Sequence, residues 1–410
     1  MTELKAFDIP LSEIRRIIKD FQLEMDRGLS GRKSSLKMIP TYVSRPNGRE
    51  KGKFIALDFG GTNFRILRLT LLGAGRIGAI NVMKFVLAKK HMTGSAEGFF
   101  GFIADSVKTF LKKYRLESEN ELDMGFTFSF PVRQTGAASG SLVCWTKDFD
   151  VSGVIGNDVV GLLNDALAKI GVRNVNISAL ANDTVGTLVA KSYEDETCDV
   201  GVIIGTGTNA CYPEARAGGM ILNIEWGNFN KLKSTPYDRA LDRNSDNPGE
   251  QILEKMVSGM YLGRLAGLLL GEKFRLKDEF KTEHMSIIES DGSKDLSRTG
   301  LILKKIGVRN SSFGDRQHVK EICQAVSRRG ARISAACIAA IVKKMDPPLS
   351  GNHTVAIDGS VYEKHPTFAK SMKAALKEIF GRRSSRVRMA LVKDGSGKGA
   401  AIIAAAAASR

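Results

Sequence analysis

Two glycine-threonine turns, each placed between apolar strands, constrain the fold of this chain more than any other feature. The first has the sequence DFGGTN at residues 58–63, and the second has the sequence GTGTN at residues 205–209. Glycine has no side-chain barrier, so backbone N–H groups in such a turn can approach phosphate oxygens closely. A single turn of this kind is more often a plain hairpin. Two such units in one chain favour two related lobes that face a shared cleft.

Apolar runs rich in Val, Ile and Phe alternate with helical segments along the chain. The predicted strands are Phe54–Asp58, Phe64–Thr70, Met124–Phe130, Val175–Leu180, Val200–Ile204, Thr354–Ile357 and Val387–Val392. Helical spacing of apolar residues predicts an amphipathic helix over Leu11–Met25. A polar connector interrupted by prolines is expected over Ser30–Lys53. The alternation of strands and helices predicts an α/β fold.

The segment GSGKG at residues 395–399 resembles a phosphate-binding P-loop only superficially. Its spacing does not match G-x-x-x-x-G-K-[ST], because Gly399 stands where Ser or Thr is needed. We interpret the segment as a strand-to-helix turn that leads into an alanine-rich last helix.

Short polar side chains, the kind that recognise a polyol, recur in apolar or glycine-flanked settings. They are Ser129 before Phe130 and Pro131, Thr146 and Lys147 after Trp145, Asn182, Asp183, Asn209, Glu225 and Glu254. Asn182 and Asp183 lie between an apolar strand and a helical run, so simple N-capping is the alternative for them. For Glu254, in a helical pattern, the alternative is a solvated charge. Glu225 stands beside Ile224 and Trp226, where a charge needs a partner or a ligand.

A metal ion is expected near the first turn. Asp58 ends the strand that leads into it, and a carboxylate there is placed to hold a hydrated Mg²⁺ beside bound phosphates.

The net charge is +17 among 410 residues, which raises the question of nucleic-acid binding. The basic residues are spread along the whole chain, and no basic module interleaved with aromatic residues is present. Nucleic-acid binding is therefore not expected as the primary function, since a basic surface also attracts anionic substrates. A secondary association with RNA or acidic surfaces stays open.

The cysteines and the N-terminal segment indicate the cellular setting. The five cysteines are odd in number and contain no C-x-x-C pair, so neither a disulfide framework nor a zinc site is predicted. No apolar run approaches the roughly 18 residues that a membrane-spanning helix needs. The acidic residues of the first segment argue against a transit peptide. We expect a cytoplasmic protein that does not insert into a membrane.

The ordered set of motifs closely resembles that of the hexokinase family, from Ala56 to Ile403. The matching segments are LDFGGTNFR at 57–65, FTFSFP at 126–131, WTK at 145–147, NDTVGT at 182–187, GTGTNACY at 205–212, EWG at 225–227, NPGEQ at 247–251 and DGSVY at 358–362. One such segment would be weak evidence, whereas all of them in this order are specific.

The resemblance implies a two-lobed α/β fold of the actin-like ATPase (ribonuclease H-like) type, with the hexose in a cleft between a small and a large domain. Residues 1–48 and 180–392 would form the large domain. Residues 49–179 and 393–410 would form the small domain, which the C-terminal helix closes.

The resemblance also implies roles for individual residues. Asp183 would be the base that deprotonates the hexose 6-hydroxyl, with Lys147 and Thr206 in the catalytic set. The implied sugar contacts are Ser129, Phe130, Pro131, Thr146, Lys147, Asn182, Asp183, Asn209, Glu225 and Glu254. The implied nucleotide contacts are Asp58, Gly60, Gly61, Thr62, Asn63, Arg65, Gly205, Thr206, Gly207, Gly359 and Ser360. Mg²⁺ would be held through ATP phosphates and water, with Asp58 and Asp183 as candidate ligands.

The implied activity is ATP-dependent phosphorylation of the 6-hydroxyl of glucose, with fructose and mannose as further candidate substrates. The expected cofactors are ATP and Mg²⁺, and a monomer or homodimer is expected. Pro213 and Arg264 depart from the family pattern, where methionine and glutamate are usual, and they leave regulation open. The alternative from another class is a sugar-sensing protein that keeps the binding residues but turns over slowly.

Overall fold

The computed structural model describes residues 2–146 and 149–408. The chain forms two compact units, each assembled from segments that are separate in sequence. The helix-rich unit comprises Met1–Met38, Val202–Ala210 and Ile224–Leu391, and the sheet-rich unit comprises Ile39–Gly201, Cys211–Asn223 and Val392–Arg410. The domain division predicted from the sequence assigns residues 39–48, 180–201, 211–223 and 392 to the other unit, and it stays a prediction.

The described strands are β1 (Ile39–Ser44), β2 (Lys51–Phe59), β3 (Asn63–Gly73), β4 (Arg76–Val86), β5 (Leu122–Phe128), β6 (Val132–Gly136), β7 (Ser139–Leu142), β8 (Val175–Ala181), β9 (Cys198–Ile204), β10 (Thr208–Glu214), β11 (Met220–Asn223), β12 (His353–Asp358) and β13 (Val387–Leu391). Every strand predicted from the sequence is confirmed.

The described α-helices are α1 (Thr2–Lys5), α2 (Leu11–Leu29), α3 (Lys89–Met92), α4 (Ala96–Lys113), α5 (Val159–Lys169), α6 (Asp183–Glu194), α7 (Pro236–Arg243), α8 (Ile252–Val257), α9 (Gly259–Gly271), α10 (Thr282–Glu289), α11 (Ser297–Lys305), α12 (Phe313–Met345), α13 (Ser360–Lys364), α14 (Phe368–Phe380) and α15 (Gly395–Ala408). Short 3₁₀ helices cover Ala215–Ala217, Trp226–Asn228 and Gly381–Arg386. Among these residues, no helix combines the length and apolar character needed to cross a membrane.

The sheet-rich unit is built on a five-stranded sheet of order β4-β3-β2-β5-β8. Strands β2, β3 and β4 pair antiparallel, whereas β2-β5 and β5-β8 pair parallel. Residues 54–59 of β2 are buried without interruption, which is typical of a strand covered on both faces. Strands β1 and β11 and residues 211–214 of β10 also belong to this unit, and they pair antiparallel in the order β1-β11-β10.

Each face of the five-stranded sheet has its own cover. Ile55, Leu57 and Phe59 point into a core of apolar side chains from α4 and α5. Because side chains alternate across a strand, Asp58 points to the opposite face, where α15 packs. The sheet is therefore enclosed between a helical pair and the last helix of the chain.

Helix α15 differs from its sequence prediction. The structure has Gly395 through Ala408 as one helix, so the predicted turn at residues 395–399 is wrong. A side chain at Gly399 would collide with the backbone of Gly186 in α6, and one at Gly397 would collide with the side chain of Leu67 in β3. These glycines allow close packing against α6 and β3, which is a tertiary reason that the local sequence does not reveal.

The predicted connector over Ser30–Lys53 also needs correction. It contains β1, which pairs with β11, and the first residues of β2. Pro40 is tolerated because β1 lies at the edge of its sheet, where one side of the strand makes no ladder hydrogen bonds.

The helix-rich unit is organised around α12, a 33-residue helix that is largely buried along its length. A capping box begins it, with Ser312 N donating to Asp315 Oδ2 at 2.9 Å and Asp315 N donating to Ser312 Oγ at 3.1 Å. Helices α2, α8, α9, α10 and α14 pack around α12. The strands of this unit follow the order β10-β9-β12-β13, in which β12 and β13 are parallel.

Candidate active site

Three parallel strands of the sheet-rich unit end at the same edge of the sheet, and each is followed by predicted site residues. The first turn, residues 60–63, follows β2; Ser129 follows β5; Asn182 and Asp183 follow β8. Carboxyl ends of neighbouring parallel strands are where open α/β sheets bind ligands. The topology therefore brings half of the predicted site to one edge.

The first turn and Ser129 lie side by side. Ser129 N donates to Phe59 O at 3.0 Å, and a side-chain carbon at Gly60 would lie 3.9 Å from Ser129 Oγ. Thr62 and Asn63 are exposed, and the turn is anchored at its far end by Leu87 N donating to Thr62 O at 2.7 Å. The exposed polar groups of the turn are therefore presented on a fixed backbone.

Asp58 is the buried acid beneath this turn, and it already has two partners. Its Oδ2 accepts hydrogen bonds from Arg65 Nε at 2.7 Å and from Ser396 Oγ at 2.8 Å. Arg65 also pairs with Asp394, just before α15. The guanidinium of Arg65, predicted as a nucleotide contact, thus joins the first turn to the start of the last helix.

Asn182 and Asp183 begin α6. Asn182 Oδ1 accepts from Val185 N at 2.9 Å, so Asn182 is the N-cap and the capping interpretation is confirmed for it. Asp183 is the first helical residue and accepts from Thr184 Oγ1 at 3.2 Å. A helix N-terminus stabilises a carboxylate as the anion, which is the form that can accept a proton.

A buried thiol packs under this helix start. Burial raises the pKa of Cys211 well above its ordinary value. The neutral thiol lies against Thr184, with Sγ 3.3 Å from the backbone O. Cys211 thus supports the start of α6 without chemistry of its own.

The remaining sugar residues predicted in the sheet-rich unit differ in exposure. Phe130 is buried in an aromatic cluster and contacts Trp145 edge to face at a centroid distance of 5.0 Å. Pro131 is half-buried and Thr146 is exposed. Lys147 lies outside the described residues. The aromatic cluster fixes the backbone on both sides of Ser129, and Phe130 contributes to it as packing.

The second turn lies in the helix-rich unit, between β9 and β10. Gly205 N donates to Gly207 O at 2.9 Å, which closes the turn on itself. The backbone N–H groups of Gly259 and Met260 donate to Gly205 O at 2.7 Å and Thr206 O at 3.1 Å. Thr206 is exposed. The start of α9 therefore holds the turn, while the Thr206 side chain stays accessible.

Gly359 and Ser360 lie against this second turn. A side chain at Gly205 would come within 3.4 Å of Gly359 Cα and 3.6 Å of Ser360 N. Gly359 has φ 121° and would clash with Ile204 if it carried a side chain. Only glycine combines that backbone conformation with such close contact. The predicted phosphate-side and adenosine-side contacts of this unit are therefore adjacent.

The predicted sugar residues of the helix-rich unit form a connected group. Asn209 Nδ2 donates to Glu225 Oε1 at 2.9 Å. Glu254 Oε2 accepts from Thr208 N at 2.9 Å, and the indole of Trp226 donates to Thr208 Oγ1 at 2.9 Å. Both carboxylates are half-buried. They lie directly beside the second turn.

The backbone and the charges of this group are unusual. Glu225 has a left-handed φ of 55°, a conformation that costs energy for a residue with a side chain and occurs often at functional sites. Burial and the nearby Glu254 carboxylate raise the pKa of Tyr261. The group is thus a strained, negatively charged patch suited to hydroxyl donors.

Sequence reasoning missed some residues that support these groups. Ser396, in the segment predicted as a turn, binds Asp58, and Asp394, just before that segment, pairs with Arg65. Lys255 is almost completely buried next to Glu254 in sequence, with only 3 % exposure. No local sequence pattern indicates a role for Ser396. Lys255 directly follows Glu254, a predicted sugar ligand, and this position could have suggested a supporting role.

Comparison with known proteins identifies the family. A hexokinase family model matches residues 2–193, and a second hexokinase family model matches residues 199–406. Hexokinase-2 of Oryza sativa subsp. japonica is 40% identical over 97% of this chain and 88% of that protein.

The chain belongs to the hexokinase family.

A hexokinase solved structurally has the same fold. The hexokinase from Schistosoma mansoni, complexed with glucose, matches with a TM-score of 0.86 and 35% identity over 99% of this chain and 97% of that one. The ROK hexokinase from Thermus thermophilus matches with a TM-score of 0.55 at 17% identity, over 86% of this chain and 97% of that one, which shows a shared fold alone. The predicted α/β fold of the actin-like ATPase type is confirmed.

As a hexokinase, the chain is a phosphotransferase, and the predicted enzyme class is confirmed. Its family and its match to a glucose complex support ATP-dependent phosphorylation of glucose.

Proposed function

We propose that this hexokinase transfers the γ-phosphoryl group of ATP to the 6-hydroxyl of D-glucose, giving glucose 6-phosphate and ADP in the entry step of glycolysis. One observation carries the proposal. In the helix-rich unit, the half-buried carboxylates of Glu225 and Glu254 are hydrogen-bonded to residues at the second glycine-threonine turn. A hexose needs several such acceptors, and a phosphoryl donor needs such a turn.

The sheet-rich unit supplies the proton acceptor in this proposal. Asp183 Oδ accepts the proton of the 6-hydroxyl as the oxygen attacks the γ-phosphorus, and the bond from phosphorus to the bridging oxygen of ADP breaks. Ser129 and Asn182 bind hydroxyl groups of the sugar beside Asp183. Pro131 and Thr146 also contact the sugar. Phe130 contributes through packing. Lys147 stabilises the charge on the transferring group.

The helix-rich unit binds the remaining hydroxyl groups and the nucleotide. Asn209, Glu225 and Glu254 accept and donate hydrogen bonds to the sugar. Residues 60–63 of the sheet-rich unit and 205–207 of the helix-rich unit bind ATP phosphates through backbone N–H groups and the Thr62 and Thr206 hydroxyls. Gly359 and Ser360 contact the adenosine side. Arg65 acts on the nucleotide indirectly, since its guanidinium pairs with Asp58 and Asp394.

The side chains fit a magnesium ion that arrives with the nucleotide. Among the described residues, no group of three His, Cys, Asp or Glu side chains forms a protein cage for a metal. Mg²⁺ usually keeps several waters and binds through one or two carboxylates and substrate phosphates. Asp58, whose Oδ1 is not used by Arg65 or Ser396, and Asp183 are the candidates to hold its waters. The ion neutralises phosphate charge when it is bound.

Acceptance of mannose and fructose is part of the proposal, because the carboxylate and amide groups named above recognise hydroxyls in general. A cytoplasmic location and a monomeric or homodimeric state remain predictions from the sequence. Size-exclusion chromatography with light scattering measures the oligomeric state directly.

The proposal is tested by incubating the purified chain with D-glucose and Mg-ATP and measuring glucose 6-phosphate. 6-Deoxyglucose is the matched control, since it keeps the other hydroxyls and lacks the attacking oxygen. We expect product from glucose and none from 6-deoxyglucose. Tight glucose binding by calorimetry with negligible ATP turnover would instead favour the sugar-sensing alternative. A panel of glucose, mannose, fructose, galactose and glucosamine then defines the substrate range.

A further inference from the structure

Lys255 is a buried cation beside the proposed sugar site. Its side chain is 3 % exposed, and its ammonium contacts Asp242 Oδ1 at 2.6 Å and the backbone O of Asn247 at 2.7 Å. Burying an ammonium costs several kcal/mol unless close partners compensate. A buried charge in this position therefore calls for a structural reason.

The partners of Lys255 lie at the end of α7, where Asp242 stands, and in the loop that follows it, where Asn247 stands. Asp242 also accepts hydrogen bonds from Gly249 N, with distances of 3.0 and 3.1 Å to its two oxygens. Burial alone would raise the pKa of Asp242, but the hydrogen bonds from Lys255 and Gly249 hold it below its ordinary value. Lys255 and Asp242 together close the loop between α7 and α8.

Helix α8 is only six residues long and contains both Glu254, a proposed sugar ligand, and Lys255. It begins after Gln251, which has a left-handed φ of 52°. Glu254, the residue before Lys255, accepts from Thr208 N at 2.9 Å. Directly after α8, Gly259 N and Met260 N donate to the second turn at Gly205 O and Thr206 O. Helix α8 thus carries the proposed sugar carboxylate, and the start of α9, directly after it, holds the proposed phosphate turn.

A six-residue helix is too short to hold its position by its own hydrogen bonds. The neighbours of Glu254 in α8 are held by different contacts. Leu253 and Met256 pack in the core, and Lys255 binds Asp242 of α7 and Asn247 of the loop between α7 and α8. We infer that Lys255 is a positioning residue, which holds α8 against the end of α7 and the loop after it so that Glu254 and the second turn keep a fixed spacing. This inference rests on the proposed function.

A positioning role for Lys255 predicts changes in the kinetic constants, whereas a purely structural role predicts only a loss of stability. Loss of the anchor lets α8 shift, and displacements of about 1 Å at a site can cost on the order of 10²-fold in rate. We expect Lys255→Met to raise the KM for glucose and the KM for ATP together and to lower kcat/KM by roughly 10- to 100-fold. Glu254→Gln, by contrast, should change mainly the KM for glucose.

Lys344→Met is the matched control. Lys344 is also a largely buried lysine of the helix-rich unit; it lies in the last turn of α12 and pairs with Asp26 on α2 at 2.6 Å. Both variants should lose stability in urea unfolding, but only Lys255→Met should change the kinetic constants. Lys255→Arg, which keeps the charge and a hydrogen bond to Asp242, should recover part of the activity.

Asp242→Asn keeps the inference testable if Lys255→Met does not fold. It removes the charge partner but keeps a side-chain oxygen that can accept from Gly249 N, and it should raise both KM values. If the folded Lys255→Met or Asp242→Asn enzyme has kcat and both KM values within twofold of the wild type, the positioning role is overturned. Absence of glucose phosphorylation by the wild-type chain would instead overturn the proposed function.

Discussion

Arg65 and Asp58 are direct partners across the antiparallel pair β2-β3, and Arg65 Nε donates to Asp58 Oδ2 at 2.7 Å. The same guanidinium reaches Asp394, and Ser396 Oγ donates to Asp58 Oδ2 at 2.8 Å. Asp58 of β2 and Arg65 of β3, the strands on either side of the first turn, are thereby bound to the start of α15. The shape of the turn depends on a segment more than three hundred positions later in the chain.

Replacing Arg65 should disturb both stability and ATP use. Arg65→Met leaves Asp58, which is 8 % exposed, without its cation, and removing one partner of such a buried pair costs about 3 kcal/mol or more. We expect a raised KM for ATP with a smaller change in the KM for glucose. Urea unfolding and steady-state kinetics measure the two effects.

Arg68→Met is the control for that variant. Arg68 lies three residues along the same strand and pairs with Glu119, which is far more exposed than Asp58. A modest loss of stability with an unchanged KM for ATP is expected. Equal kinetic effects of both substitutions would contradict a specific role for the Arg65 pair.

Replacing Asp183 should separate catalysis from binding. Asp183→Asn keeps the size of the side chain at the start of α6 but removes the proton acceptor. We expect kcat to fall by on the order of 10²–10⁴ while glucose still binds. Coupled assays and calorimetry measure both quantities. Near-normal turnover in a folded variant would show that Asp183 is not the base.

Two glycine-to-alanine changes should move stability in opposite directions. Gly399→Ala in α15 places a carbon against the backbone of Gly186, and such overpacking costs about 1–3 kcal/mol or more. Gly101→Ala in α4 meets nothing within 4 Å, and alanine favours a helix by about 1 kcal/mol over glycine. Thermal unfolding should show Tm lowered for the first and raised for the second. A Gly399→Ala chain as stable as the wild type would mean that α15 does not pack as described.

The pH dependence of stability should carry a contribution from His365. This side chain is buried beside Glu289, with His365 Nε2 3.6 Å from Glu289 Oε1, and burial lowers the pKa of His365 to about 4. In the unfolded chain the imidazole takes up its proton near pH 6.5. The unfolded state therefore binds more protons between pH 6.5 and about 4. Across this window the free energy of unfolding decreases as the pH is lowered. The full contribution is about 3 kcal/mol.

Glu289 works in the opposite direction. Burial raises its pKa, so the folded state takes up this proton first, and the contribution of Glu289 to stability grows as pH falls. His365→Gln should remove the histidine contribution and leave that of Glu289. Urea unfolding at several pH values from 7 to 5 should show a shallower loss of stability, or a gain, on acidification of the variant. An unchanged slope would exclude His365 as the group responsible.

Many strands of the fold were predictable because the apolar composition that identifies them lies within short runs of the sequence. The run from Phe54 to Leu57 is apolar, and the run from Val175 to Leu180 is mostly apolar; both are short and bounded by turn residues, so their type follows from composition. The N-cap at Asn182 was predictable for the same reason, since it depends on residues within one turn of helix.

The sequence did not predict features that depend on distant partners. The short strand β1 exists because β11, far along the chain, pairs with it. The glycines of α15 resemble a turn until Gly186 is placed against them. In the candidate site, Glu225 and Glu254 could be proposed from motifs, whereas the bond from Thr208 N that positions Glu254 required the fold.

The packing of α15 against Gly186 and Gly125 has a consequence for how the protein is made. All strands of the β4-β3-β2-β5-β8 sheet are synthesised by residue 181, but the helix that covers one face comes only with residues 395–408. At ordinary translation rates the nascent sheet waits on the order of ten seconds for that cover. During this interval its apolar face invites aggregation, and the ribosome-bound chain should depend on a chaperone until its final helix emerges.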